Sequence, residues 1–174
     1  MAECVITAVG PDRPGLVDEL TGALHGLGAN IADSQMANLR GQFAVILLLE
    51  VPDQAAESLR EQLPQTGSQI GLTLTVGSMP AGTGVMAAGV PYRLRTQAMD
   101  QPGIVHRITS VLHERGINIE QLQTHLQPAS VSGTPLFRME LSMTVPTTVS
   151  INALRREMEA LCDSLNCDVV LEPA

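Results

Sequence analysis

Lysine is absent from these 174 residues: all ten basic side chains are arginine, set against 18 carboxylates, for a net charge of −8. Tryptophan is absent too, and the aromatic set is Phe43, Tyr92 and Phe137. A nucleic-acid surface needs a cationic face to displace counterions from phosphates, and single-strand binders add stacking rings. With neither in view, direct contact with DNA or RNA is not expected. Cysteine is scarce: Cys4, Cys162 and Cys167 show no CxxC spacing and cannot all pair within one chain. They read as small apolar fillers of a reduced, cytoplasmic protein. No apolar run approaches the roughly 18–20 residues that cross a bilayer. The opening Met1-Ala2-Glu3-Cys4 lacks the basic stretch of a secretion signal. His106 and His113 lie seven apart, not at the i, i+4 spacing that shares a metal. No nucleophile–base set, phosphate loop or metal cluster stands out, so neither catalysis nor a cofactor is expected.

What is present is a duplication. Residues 12–17 read DRPGLV and residues 100–105 read DQPGIV, an offset of 88. The same offset carries Leu24-His25 onto Leu112-His113, Gly28 onto Gly116, and Asn30-Ile31 onto Asn118-Ile119. Phe43 and Val51-Pro52 match Phe137 and Val145-Pro146 at an offset of 94, so six extra residues enter between Asn118 and Phe137. The turn-rich stretch from Pro128 to Gly133 is the natural seat for them. Between the copies, Gly77 to Pro91 holds four Gly and two Pro and no sustained period. The organisation expected is a first module over 1–78, a linker over 79–90 and a second module over 91–174.

Within each copy, residues 4–9 and 92–99 are strand-like. Apolar residues then recur at helical spacing through Leu16, Leu20 and Leu24, and through Ile104, Ile108 and Leu112. Pro14 and Pro102 suit a first helical turn, and Gly28 and Gly116 suit the helix ends. Strands follow near 30–39 and 42–51, then a helix near 53–64 and a closing strand near 69–76. The second copy ends with a helix near 149–165 and a strand near 167–172. Strand–helix–strand–strand–helix–strand predicts an α+β fold: two ferredoxin-like βαββαβ sandwiches in tandem, each a four-stranded antiparallel sheet with two helices on one face. Side chains alternate across a strand, so parity assigns the uncovered face. In the second copy it carries Arg93, Arg95, Gln97, Arg138, Glu140, Ser142 and Thr144. In the first it carries Val5, Thr7, Val9, Ala44, Ile46 and Leu48, extended by Thr73 and Thr75. A contiguous apolar patch is seldom left open to water. A homodimer interface through Val5, Val9, Ala44, Ile46 and Leu48 is therefore expected, with cover by the linker (Met79, Val85, Met86) or the other repeat as the alternatives.

The D-x-P-G-[LI]-V turn after the first strand, followed by Asn-Ile at the start of the second, resembles the ACT domain in both halves. The strings ITAVGPDRPGLV (6–17), NIADSQMANLRGQF (30–43) and NIEQLQTHLQPA (118–129) are similar to the glycine cleavage system transcriptional repressor family, tandem ACT proteins without a catalytic domain. The resemblance implies a cytoplasmic regulator responsive to an amino acid, acting by holding a DNA-binding activator protein rather than DNA. A stand-alone amino-acid-binding module, or a subunit of a metabolic enzyme, is the alternative. Carried over by motif, the ligand-binding candidates are Asp12, Arg13, Pro14, Gly15, Leu16, Asn30 and Ile31. In the second copy they are Asp100, Gln101, Pro102, Gly103, Ile104, Asn118 and Ile119. The helix N-terminus would take the ligand carboxylate and the aspartates its ammonium. The opposing reading is purely structural, with the Asp capping the helix and Asn serving a turn. Because the second copy has Gln101 where the first has Arg13, the first site is expected to be the better one.

Overall fold

A computed structural model describes residues 1–78, 88–128 and 135–174. The linker residues Met79, Val85 and Met86, and most of the 128–133 insertion, lie outside the described residues. The chain forms two compact units, one on each side of residues 79–87. The first runs β1 (Ala2–Pro11), α1 (Leu16–Gly26), β2 (Asn30–Leu39), β3 (Gln42–Val51), α2 (Ala56–Ile70) and β4 (Thr73–Ser78). The second repeats it: β5 (Gly89–Met99), α3 (Ile104–Glu114), β6 (Asn118–Pro128), β7 (Pro135–Pro146), α4 (Ile151–Ser164) and β8 (Cys167–Pro173). Both sheets are antiparallel, ordered β2-β3-β1-β4 and β6-β7-β5-β8.

Strict alternation builds these sheets. Cys4, Ile6 and Ala8 of β1 and Phe43, Val45, Leu47 and Leu49 of β3 are buried. They meet Leu16, Leu20 and Leu24 of α1 and Leu59 and Leu63 of α2 in one core. In the second unit Leu94, Met139, Leu141 and Met143 meet Ile108, Leu112, Leu154 and Met158. Each fully buried aliphatic side chain contributes about 2 kcal/mol of transfer free energy, which is what holds modules this small. Cys4, Cys162 and Cys167 are unpaired and buried, and burial pushes the Cys162 thiol up to about 12.

Three details differ from the sequence reading. The linker expected over 79–90 is invaded by β5: Gly89 and Val90 already pair with Pro146 and Val145. Helix α2 does not stop near 64 but passes through Pro64 to Ile70, so β4 starts later, at Thr73. Proline deprives the Arg60 carbonyl of its helical partner, yet the stripe Leu59, Leu63, Gly67 keeps the helix seated on the sheet. Gly67 marks the closest approach: a Cβ there would lie 2.7 Å from the Leu72 carbonyl oxygen and 2.8 Å from the Leu74 side chain. Finally, both outer strands carry a bulge, between Ile31 and Asp33 and between Ile119 and Gln121. The extra residue reverses parity, which turns Ile31 and Ile119 toward the helix side, where each packs half-buried against its core.

Candidate functional site

The Asp-x-Pro-Gly segments are turns, not helix starts. Pro14 stands two residues before α1, and Gly15 is its N-cap with φ 85° and ψ −7°. The Leu16 N–H donates to the Arg13 carbonyl at 3.3 Å. Proline second, glycine third at positive φ and a one-to-four hydrogen bond define a type II turn. Gly103 repeats the backbone angles of Gly15, with φ 93° and ψ −1°. Glycine is needed there for its backbone angle and not for room, since a Cβ on Gly103 would meet nothing within 4 Å. The capping reading of the aspartates also fails. No side chain caps α1 or α3, and the Asp12 carboxylate instead accepts from the Asn38 amide at the far end of β2.

The residue after each aspartate has a structural task that the two copies share. Arg13 donates to both Glu19 carboxylate oxygens, at 2.6 and 2.5 Å, and to the carbonyl of Ile70 at 3.2 Å. Gln101 donates to the carbonyl of Leu165. Ile70 and Leu165 are corresponding residues at the C-terminal ends of α2 and α4, each followed by a left-handed residue, Gly71 (φ 79°) and Asn166 (φ 49°). Both turns are thus clasped to the second helix of their own module, by different chemistry. The Arg13 guanidinium holds the Glu19 carboxyl below its usual range, chiefly through their hydrogen bonds. The side chains of Leu16 and Ile104 are buried in their cores, so those positions offer a ligand only backbone.

Each unit separates the two halves of the motif. The register pairs Pro11 with Gln42 and Asn30 with Glu50, at opposite ends of β3. Asp12, Pro14 and Gly15 cluster at one end of the sheet and Asn30 and Ile31 at the other, about 25 Å along the strand. The same holds for Asp100, Pro102 and Gly103 against Asn118 and Ile119. Asn30 donates to Glu50 at 3.3 Å. Asn118 faces Thr144 instead and lines a cleft of about 430 Å³ with His106, Ser110 and His113 of α3. Their spacing along one helical stripe was the available signal for this cleft. The helix starts differ in charge: the first turn of α1 carries Asp18 and Glu19, that of α3 no carboxylate.

On the uncovered sheet face of the first unit, Val9 and Ile46 are 49% and 54% exposed. Val5, Ile46 and Leu48 border a shallow depression of about 190 Å³ there. Among the described residues no group of three or more His, Cys, Asp or Glu side chains could hold a metal, and no helix is long and apolar enough to cross a membrane.

Two βαββαβ sandwiches, each with a Pro-Gly turn ahead of its first helix, define a tandem ferredoxin-like α+β architecture. The chain belongs to the ACT-domain family, whose profiles match residues 3–77 and 92–162. It is similar to the glycine cleavage system transcriptional repressor of Escherichia coli, with 29% identity over 164 residues, covering 93% of this chain and 85% of that protein. A UPF0237 protein of Methanopyrus kandleri is 35% identical over 78 residues, 44% of this chain and 87% of its own length. The crystal structure of an unknown protein from Galdieria sulphuraria superposes with a TM-score of 0.86 at 27% identity, covering 99% and 98% of the two chains. Paired ACT domains and likeness to a repressor support a regulatory protein.

Proposed function

We propose that this chain is a cytoplasmic, amino-acid-responsive regulator that acts by binding another protein and has no catalytic activity of its own. The observation that carries the reading is the match to a transcriptional repressor across both modules at once. The net charge of −8 without lysine supports action through a DNA-binding activator rather than on DNA. We place the ligand at the Pro-Gly turn of the second module. Arg13, the reason to favour the first, is occupied by Glu19 and Ile70, and Asp18 remains to repel a carboxylate at the start of α1. The first turn of α3 has no such charge. There the helix N-terminus faces the carboxylate, and Asp100 takes the ammonium. Asn30 and Asn118 lie at the far end of the sheet from the turn of their own module, so they can serve only the turn of another module. The homodimer contact we assign to Val5, Val9, Ala44, Ile46 and Leu48.

Three measurements test this reading. At least one of the twenty common amino acids should raise the melting temperature of the purified chain, and Asp100→Asn should reduce that rise while Asp12→Asn leaves it. The chain alone should not shift DNA at physiological salt; a sequence-specific, salt-sensitive shift overturns the indirect mechanism. Affinity capture should bring down a DNA-binding regulator, whereas capture of a metabolic enzyme favours the regulatory-subunit alternative.

A further inference from the structure

The uncovered sheet face of the second unit is a grid of charges, and its pairing leaves one of each sign over. Arg93 pairs with Glu140 at 3.2 Å and Arg95 with Glu172. The neighbouring cross-strand row runs His125, Arg138, Gln97, Asp168 over β6, β7, β5 and β8. Arg138 spends its Nε on the Gln97 carboxamide oxygen at 3.0 Å, and among the described residues neither Arg138 nor Asp168 has a partner of opposite charge. Gln97 stands between them, and their Cα atoms are two strand spacings apart, roughly 9.5 Å. A cleft of about 520 Å³ opens over this row. The matching row of the first unit is Ala37, Ala44, Val9 and Thr73, without a charge. The duplicated scaffold therefore does not require this set.

We infer that this row is a second ligand site, for a zwitterion of amino-acid size. The two Nη groups of Arg138, with His125 beside them, take the carboxylate. Asp168 takes the ammonium, and Val170, two residues along β8 and also lining the cleft, meets an apolar side chain. A simple anion would find Asp168 in its way, and a simple cation would find Arg138, so the leftover pair selects a molecule carrying both charges. The inference rests on the amino-acid reading above but not on the turn.

Calorimetric titration of the full-length chain tests it, with the twenty amino acids singly and with acetate and methylammonium as one-charge probes. The expected result is two ligands per chain, neither displaced by the one-charge probes. Arg138→Gln and Asp168→Asn should each weaken one of them by roughly tenfold or more. Asp100→Asn should weaken the other, and Arg156→Gln on the exposed side of α4 neither. Binding untouched by Arg138→Gln and Asp168→Asn overturns the sheet-face site and leaves the turn assignment standing. Binding lost with those two but indifferent to Asp100→Asn does the reverse. No binding of any amino acid overturns both.

Discussion

Arg13 and Gln101 show how differently a residue reads alone and in place. As letters they mark a charged and an uncharged binding site. As side chains they reach corresponding carbonyls, Ile70 and Leu165, and fasten the turn to the second helix. Arginine adds a two-pronged contact to Glu19, and that contact has a pH signature. The Glu19 carboxyl titrates below its unfolded value, so its contribution is present above the unfolded pKa and is lost as pH falls through the folded one. Between pH 6 and pH 3 the melting temperature of the native chain should therefore fall further than that of Glu19→Gln. Parallel curves would mean that the exposed pair contributes nothing, the common fate of surface ion pairs.

Among the elements, α2 is the one whose local sequence argues most against it. Pro64 and Gly67 are poor helix residues, and the run from Gln62 to Ser68 lacks a strong apolar period. The helix persists because the sheet needs cover over β4, and Gly67 is what lets it lie that close. Gly67→Ala improves helix propensity yet forces a methyl against the Leu72 backbone. It should destabilise the first unit by about 1–3 kcal/mol in urea unfolding. A stabilised variant would show that propensity outweighs the packing. The corresponding position in α4 is Cys162, itself buried, so the second unit accommodates a side chain where the first admits none. The bulges at the start of β2 and β6 recur at matched residues, and they explain why Ile31 and Ile119 serve the core while the residues after them face outward.

At the scale of the whole molecule, duplication has kept one fold and produced two unlike sheet faces. Val5, Thr7, Val9, Ala44, Ile46 and Leu48 form a largely apolar face on the first unit, while the second carries three arginines among its matched positions. Under the proposed dimer, Ile46→Lys or Val9→Lys should convert the native species in light scattering to monomer or aggregate. Arg93→Gln on the other unit should leave its mass unchanged. A native monomer indifferent to both lysine substitutions removes the dimer from the account.

The sequence alone determined that there are two copies, where their strands alternate, and which face of each sheet is apolar. Those properties follow from side-chain periodicity, which is local and survives without coordinates. It also marked the two Pro-Gly segments between the first strand and the first helix of each copy, but as helix starts where the structure has turns. What only the tertiary structure decided is where the turns point and what they hold. Antiparallel pairing carries Asn30 to the end of the sheet opposite Asp12, a separation set by strand direction and register, which a motif does not record. Asp12 meets Asn38, and Arg13, beyond its local pair with Glu19, reaches Ile70; Asn38 and Ile70 are distant in sequence and brought near by pairing and packing. The cross-strand row joining His125, Arg138, Gln97 and Asp168 is legible only once register is known, because four strands must align before four separate polar residues become neighbours.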